Sequence, residues 1–287
     1  MEREPTKWLR VTRRNPCVIC GRPDFCGYSE NLRVAICMRS ESSRPTKNGG
    51  WLHRLDEPLP PVYVKPPPAP AATMDWDAYF AECRAQTTPE RLQGLSDSLG
   101  VSWASLRRLG ASWDGGHDAF AFPMYSTGFE VIGARLRTND GAKLSVRGSH
   151  SGLFVPDAYL PDTLTDIMIV EGPTDAAAGL DLGFYTIGRP SCSGSVEDTV
   201  ALCRGLNVVI LADFDAPKAR PNGTTWKPGE QGAQALAQAM HKKAKSVKVT
   251  YPLQGKDLRA WLNKGCTPAM LATVVRNAPT WKKPTKT

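Results

Sequence analysis

A proline-rich stretch divides this chain into a short N-terminal part and a longer C-terminal part. Seven prolines lie between Glu57 and Thr73, in the sequence EPLPPVYVKPPPAPAAT. Proline fixes its φ angle and has no backbone N–H, so such a run favours an extended polyproline path over a packed core. We therefore interpret residues 57–73 as a linker that follows an N-terminal module, residues 1–56.

Cysteines are concentrated in that N-terminal module. Cys17, Cys20, Cys26 and Cys37 all lie within the first forty residues, whereas the other four cysteines are scattered singly. In a reducing compartment such clustering indicates metal binding rather than disulfides. Structural zinc takes four Cys or His ligands. We predict a zinc site formed by Cys17, Cys20 and Cys37, with either Cys26 or His53 as the fourth ligand.

Residues 74–160 combine helical and strand patterns. A helix is expected over Asp75–Gln86, a second opens at Thr88-Pro89, and Gly100 closes it. Period-two alternation follows from Ala119, and Asp140-Gly141 is a hairpin signal between two of the strands. We expect a small helical and antiparallel-sheet subdomain.

Residues 161–277 change to short apolar strands that alternate with helices. Ile167–Val170 and Val208–Leu211 are continuous apolar runs, typical of strands buried on both faces of a parallel sheet. Ser246–Tyr251 supplies a further strand, and residues 278–287 form a basic tail. The predicted class is therefore α/β, with a Rossmann-like sheet after the subdomain.

Acidic residues follow two of these apolar strands. Glu171 comes directly after the first, and Asp213 and Asp215 follow the second. Parallel strands end at one edge of a sheet, so these carboxylates should converge there, with Asp175 and Asp257 as companions. Converging carboxylates repel one another unless cations neutralise them. Oxygen ligands suit Mg²⁺ or Mn²⁺, so the pattern predicts metal-dependent phosphoryl transfer.

The charge distribution points to an anionic partner. The net charge is +8, with Lys and Arg in excess at both ends and acids in excess in the middle. Lys and Arg clusters attract phosphate backbones. No apolar run approaches the roughly 20 residues that span a bilayer, and no secretory signal is present, so we expect a cytoplasmic protein without a membrane partner.

Three motifs resemble the Toprim domain that bacterial and phage primases share with topoisomerases, some nucleases and recombination mediators. They are EGPTD at 171–175, DFD at 213–215 and KD at 256–257. A zinc module followed by Toprim is the order in DnaG-type and phage-type primases. The resemblance therefore implies a Rossmann-like Toprim sheet and a zinc-ribbon-like N-terminal module. Two departures stand out: Arg259 replaces an acid that many bacterial primases have, and residues 216–231 form an insertion after DFD.

The resemblance implies roles for particular residues. Catalysis and magnesium binding would fall to Glu171, Asp213, Asp215 and Asp257, with Asp175 beside them. Lysines and arginines of the sheet before Toprim, of the insertion and of the KD motif would bind nucleotide or DNA; they are Arg135, Arg137, Lys143, Arg147, Lys218, Lys227 and Lys256.

The function that the resemblance implies is synthesis of short RNA primers from ribonucleoside triphosphates on single-stranded DNA. A phage, plasmid or mobile element would encode such a compact primase. The chain has no GxxxxGK[ST] phosphate loop, so we expect a separate replicative helicase as partner. Two alternatives stay open: a Toprim-type metal-dependent nuclease, and a non-catalytic DNA-binding recombination mediator.

Overall fold

The computed structural model describes residues 8–46, 49–55, 74–219 and 225–283. It divides into two compact units, Met1–Pro70 and Ala71–Thr287. The linker predicted at 57–73 lies outside the described residues. Within the described ranges, no helix combines the length and the apolar character needed to cross a membrane.

The first unit is a small antiparallel sheet. Its strands are β1 (Trp8–Arg10), β2 (Gly27–Ser29), β3 (Val34–Cys37) and β4 (Trp51–Arg54), hydrogen-bonded in that order. Little apolar surface is available to so short a chain, and its buried residues include Tyr28, Ala35 and three of the four cysteines. Units of this size commonly need a metal or disulfides for stability.

The second unit begins with three helices, α1 (Trp76–Gln86), α2 (Pro89–Leu99) and α3 (Trp103–Arg108). The side chains of Asp75, Thr88 and Ser102 cap their N-termini, as expected from residue types that accept hydrogen bonds from free helical N–H groups. Gly100 ends α2 in the left-handed conformation. The two helices predicted from the sequence, over Asp75–Gln86 and from Thr88-Pro89 to Gly100, are confirmed.

An antiparallel sheet follows, with β5 (Ser112–Asp114), β6 (Ala119–Tyr125), β7 (Val131–Thr138) and β8 (Lys143–Ser145) in that order. The β7–β8 turn contains Asp140-Gly141, and Gly141 has a positive φ. A short 3₁₀ turn, Pro156–Ala158, leads to the next layer.

A parallel four-stranded sheet forms the rest of the unit. Its strands are β9 (Asp166–Glu171), β10 (Thr186–Arg189), β11 (Asn207–Leu211) and β14 (Ser246–Thr250), in the order β10-β9-β11-β14. Helices α4 (Pro173–Asp181), α5 (Val196–Leu202) and α6 (Pro228–Met240) connect them. A two-stranded hairpin, β12 (Lys218–Ala219) and β13 (Thr225–Trp226), precedes α6, and helices α7 (Leu258–Leu262) and α8 (Pro268–Asn277) follow β14.

Helices cover both faces of the parallel sheet. Met168 and Val170 of β9 pack in a cluster with α4, α7 and α8, while Ile167 and Ile169 pack in a second cluster with α5 and α6. Successive strand residues point to opposite faces, which is why the strand is apolar throughout. The predicted α/β class is confirmed.

Both outer strands of this sheet carry a short antiparallel bridge. Phe154 pairs with Gly188 on β10, and Thr280 pairs with Lys248 on β14. Trp281 N–H also donates to the carbonyl oxygen of Val247 at 2.7 Å. The segment after α8 is thereby attached to the sheet.

Two glycines offer a matched test of the packing around β10. A Cβ at Gly188 would overlap the carbonyl oxygen of Gly172, whereas one at Gly94, on the exposed side of α2, would meet nothing. We expect Gly188→Ala to lower the free energy of unfolding by about 1–3 kcal/mol, and Gly94→Ala to raise it by about 0.5–1 kcal/mol. Urea unfolding of the two variants measures both; equal effects would contradict the close approach at Gly188.

Candidate active site and zinc site

Three carboxylates meet at the carboxyl edge of the parallel sheet. Glu171 is the last residue of β9, and Asp213 and Asp215 follow β11, the neighbouring strand. Glu171 and Asp213 lie close enough for their charges to interact. These side chains therefore lie together at the sheet edge where the sequence predicted them, which is the place where open α/β sheets bind ligands.

Lys256 lies over the two aspartates. Its Nζ is 3.3 Å from Asp215 Oδ1 and 3.8 Å from Asp213 Oδ2. The other oxygen of Asp215 accepts a hydrogen bond from Gly229 N–H at 3.0 Å. Phe214, between the two aspartates, points away and is 57% exposed. The alternation expected of DFD is present, with both acids on one side.

The environment of Asp213 disfavours a bare carboxylate. Burial, reinforced by the charges of Glu171 and Asp257 and opposed by Lys256, raises the pKa of Asp213 to about 7. A cation between the acids would remove this penalty, because an opposite charge favours the ionised form. The donor set of carboxylate oxygens fits Mg²⁺ or Mn²⁺.

Asp175 lies close enough to Asp257 and Asp213 for their charges to interact, and it also contacts α7. It lies in the first turn of α4, is buried, and accepts a hydrogen bond from Arg259 N–H at 2.9 Å. Asp257 caps α7, with its Oδ1 accepting from Ala260 N–H at 2.7 Å. Burial, together with the charge of Asp257, raises the pKa of Asp175 to about 8. Asp175 therefore links α4 to α7 below the edge.

The raised pKa of Asp175 makes stability depend on pH. Between the ordinary value of 3.8 and about 8, the folded state keeps a proton that the unfolded state has lost, so the free energy of unfolding falls as pH rises. Asp175→Asn keeps an oxygen acceptor for Arg259 N–H and cannot ionise. We expect this variant to be more stable than the parent at pH 8 by a few kcal/mol, because each unit by which folding raises a pKa corresponds to about 1.4 kcal/mol. At pH 4 we expect little difference.

Urea unfolding of the second unit in magnesium-free buffer at pH 4 and pH 8 measures this difference. Asp166→Asn is the matched control, since Asp166 is exposed at the opposite end of β9. An Asp175→Asn variant with the same pH dependence as the parent would contradict the buried, protonated state.

Arg259 stands where many bacterial primases have an acid, and its hydrogen bonds hold it between helices. Its backbone N–H binds Asp175, and its Nη1 lies 3.4 Å from the carbonyl oxygen of Leu99, at the C-terminus of α2. Asn263 Nδ2 donates to the same carbonyl at 2.9 Å. A cation suits a helix C-terminus, where carbonyl groups lack partners. Arg259 thus joins α7 to α2.

Three of the predicted basic residues, Arg135, Arg137 and Lys143, share one face of the antiparallel sheet. Arg135 pairs with Ser145 and Arg137 with Lys143 across β7 and β8, and residues directly opposite lie on the same face. Burial and the nearby charge of Arg259 lower the pKa of Arg137, and Asp175 opposes the effect. Arg137 is thus partly buried near α4 and α7, while Lys143 and Arg147 are exposed.

The insertion after DFD carries the two remaining predicted cations. Lys227 lies at the start of α6, with its Nζ 3.5 Å from Glu230 and 5.3 Å from the centre of the Phe214 ring. Lys218 belongs to β12, and its side chain is outside the part of the chain that the structure describes.

Arg189 is a residue of this region that sequence reasoning missed. It ends β10 beside Glu171, with which it is in register, and its side chain is buried. Its guanidinium donates to the carbonyl oxygens of Cys192 and Gly194, at 3.0 Å and 2.7 Å. Arg189 thereby fixes the loop next to the carboxylates. The sequence signal that could have identified Arg189 is its position at the end of the short strand Thr186–Arg189.

The four N-terminal cysteines form a metal-binding cluster. The sulfurs of Cys17, Cys20, Cys26 and Cys37 all lie within 4.8 Å of one another, and those of Cys20 and Cys26 are 3.8 Å apart. Zinc–sulfur bonds of about 2.3 Å in a tetrahedron place sulfurs about 3.8 Å apart. The donor set and its spacing fit Zn²⁺.

Backbone N–H groups support the cluster. Met38 N–H donates to Cys26 Sγ at 3.4 Å, and Ser40 N–H donates to Cys37 Sγ at 3.3 Å. Although burial opposes ionisation, the backbone N–H groups of Arg39 and Ser40 lower the pKa of Cys37 to about 6. Thiolates are the form that binds zinc.

His53 lies outside this cluster. Its Nε2 is hydrogen-bonded with the carbonyl oxygen of Ser40 at 3.1 Å. Of the two candidates for the fourth ligand, the structure brings Cys26 to the other cysteines and leaves His53 in strand β4. The β2–β3 pair explains this, because Gly27 pairs with Ile36 and so places Cys26 beside Cys37.

Comparison with known proteins gives structural relatives alone. No family model matches the sequence, and no curated protein does. Among solved structures, a DnaG catalytic core is 16% identical with a TM-score of 0.55, over 71% of this chain and 79% of that one. A DnaG primase catalytic domain bound to single-stranded DNA is 14% identical with a TM-score of 0.55, over 71% and 77%.

The match to a phage protein is longer. The primase fragment of the bacteriophage T7 primase-helicase protein is 16% identical with a TM-score of 0.50, over 94% of this chain and all of that one. This chain has a primase fold. At such identities the likeness establishes the fold alone, and it confirms the resemblance predicted from the sequence at that level. The primase fold here carries its Toprim carboxylates on the second unit and four cysteines on the first.

Proposed function

We propose that this chain is a DNA primase that synthesises short RNA primers on single-stranded DNA by two-metal nucleotidyl transfer. The observation that carries the proposal is the convergence of Glu171, Asp213 and Asp215 at one sheet edge of a primase fold. Buried carboxylates grouped in this way repel one another and are stabilised by divalent cations. An origin in a phage, plasmid or mobile element belongs to the same proposal.

Each residue has a defined task in the proposed reaction. Asp213, Asp215, Asp257 and Glu171 would hold Mg²⁺ or Mn²⁺, which when bound stabilises the charge that develops at the transferring phosphate. The 3′-hydroxyl oxygen bonds to the α-phosphorus, the bond to the β-phosphate breaks, and pyrophosphate leaves. Glu171 takes the hydroxyl proton or positions the hydroxyl for attack.

Cations beside the carboxylates would bind the nucleotide and the strands. Arg135 and Lys143 would hold the triphosphate, because Arg and Lys form strong hydrogen bonds with phosphate oxygens. Arg137 on β7 and the exposed Arg147 after β8 would contact the template backbone. Lys256, which now pairs with both aspartates, would move to a phosphate when a cation binds.

The zinc module and a helicase complete the proposal. One solved relative is described as bound to single-stranded DNA and another as part of a primase-helicase. We propose that the zinc module of this chain selects the start site on the template. A separate replicative helicase would supply that single strand.

Primer synthesis is tested directly with purified protein, single-stranded DNA of varied sequence, labelled ribonucleoside triphosphates and Mg²⁺. The expected products are short oligoribonucleotides that need both template and metal. Their absence on all templates would refute the proposal. Cleavage of end-labelled DNA without nucleotides would instead identify a nuclease. If the parent protein catalyses neither reaction and Asp213→Asn leaves its DNA binding unchanged, the chain is a mediator.

A further inference from the structure

An aromatic and cationic patch lies beside the carboxylates. It consists of Phe214, Tyr251 and Lys227. Phe214 is 57% exposed although it lies between the two aspartates of DFD. A large apolar side chain exposed at the edge of a ligand-binding sheet is a feature that packing of the fold does not require.

The three side chains of this patch are in contact. The Phe214 and Tyr251 rings meet edge to face, with centroids 6.5 Å apart and planes at 81°. Lys227 Nζ lies 5.3 Å from the centre of the Phe214 ring. Lys227 also pairs with Glu230 at 3.5 Å, so one anion faces the patch from α6.

The patch is coupled to the acidic edge through the backbone. Phe214 N–H donates to the carbonyl oxygen of Lys256 at 2.7 Å, and the Lys256 side chain contacts both aspartates. A group stacked on Phe214 is therefore held at a fixed position one residue from the carboxylates.

A groove opens next to Lys227. Its volume is about 420 Å³, and it is lined by Pro217, Thr225, Lys227, Glu230 and neighbouring α6 residues. Small-molecule sites generally measure roughly 300–1,000 Å³. Gln234, which lines this groove, also hydrogen-bonds with Trp281 Nε1. The space beside the patch suffices for a nucleotide.

We propose that Phe214 is a stacking platform for an unpaired nucleobase, with Lys227 binding the phosphate of the same nucleotide. Unpaired bases stack on exposed aromatic rings whatever their sequence, and a neighbouring cation binds the backbone. The nucleotide comes from a single-stranded oligonucleotide or from a free triphosphate. This inference rests on the proposed function, because it assumes that nucleic acid reaches the carboxylate edge.

Substitutions at Phe214 test stacking separately from apolar packing. Binding of a fluorescent oligodeoxythymidylate and of a fluorescent ribonucleoside triphosphate is measured with Mg²⁺. For whichever probe is the ligand, we expect Phe214→Ala and Phe214→Leu to weaken binding by roughly 5- to 100-fold, and Phe214→Trp to preserve it. Because Phe214 is exposed, the melting temperatures should remain close to that of the parent.

A matched control is available in Trp103, an exposed ring with Arg107 at 5.3 Å from its centre in α3. Trp103→Ala should leave both affinities unchanged. Photocrosslinking with 5-iodouracil-substituted oligonucleotide and with 5-iodouridine triphosphate, followed by peptide mass spectrometry, should place an adduct on Phe214 for one of the two.

Wild-type affinity in Phe214→Leu, or no Phe214 adduct with either probe, would overturn the inference. These measurements do not depend on primer synthesis. If the protein forms the adduct but makes no primers, the proposed function is refuted and Phe214 remains a stacking platform. If it makes primers without the adduct, the proposed function stands and the stacking role of Phe214 is refuted.

Discussion

Replacing Asp213 with Asn should lower the rate of primer synthesis by about a thousandfold or more, while single-stranded DNA should still bind. The substitution keeps the size of the side chain and removes one negative charge from the acidic edge. Metal ions stabilise transition-state charge by several kcal/mol, and about 1.4 kcal/mol corresponds to a tenfold change in rate. The loss of a ligand at the reacting centre should therefore affect turnover far more than binding.

The measurement compares primer yield against time for the parent and for Asp213→Asn, over a range of Mg²⁺ and Mn²⁺ concentrations. Asp166→Asn is the matched control because it removes the same charge from the opposite end of β9, where the side chain is exposed. We expect Asp166→Asn to synthesise primers at the parental rate. Substantial primer synthesis by Asp213→Asn would show that Asp213 is not a ligand of the catalytic metal.

Removing zinc should unfold the first unit and leave the second folded. Structural zinc in small modules contributes about 10–16 kcal/mol of apparent binding free energy, and this energy is available only to the folded state. The described part of the first unit has few buried residues besides Cys17, Cys26 and Cys37. We expect Cys26→Ser to lose zinc and to become sensitive to proteases across residues 8–55.

His53→Ala is the matched variant, since His53 was the other candidate for the fourth ligand and lies outside the cluster. Metal analysis should find about one zinc per chain in the parent and in His53→Ala, and none in Cys26→Ser. Limited proteolysis then reports the state of the first unit, while the unfolding transition of the second unit stays unchanged. Zinc retained in Cys26→Ser and lost in His53→Ala would reverse the assignment.

The acidic edge could be predicted from the sequence because its determinants are local. Apolar runs define β9 and β11, and the residue that follows each run lies at the edge by the geometry of a parallel sheet. Helix caps such as Asp75 and Thr88 are local in the same sense.

Other features depend on contacts between distant residues. Strand β10 has four residues, and Arg189 at its end is buried by a loop that folds back over it, so neither showed a periodic pattern. The choice of Cys26 over His53 depends on strand pairing and on Phe25, whose φ of 63° turns the chain directly before Cys26. A bulky residue rarely adopts this conformation, so nothing in the sequence indicated the turn. For Asp175, the position one turn into α4 follows from its spacing to Glu171, whereas its hydrogen bond with Arg259 N–H depends on α7, which lies far along the chain.

The two antiparallel bridges at the outer strands bear on how the protein behaves at high concentration. A parallel sheet ends in strands whose unpaired N–H and C=O groups can recruit a strand from another molecule. Phe154 occupies part of one such edge, and Thr280 with Trp281 occupies part of the other. The chain therefore shields its own sheet against edge-to-edge aggregation, and the segment after α8 protects solubility as well as completing the fold.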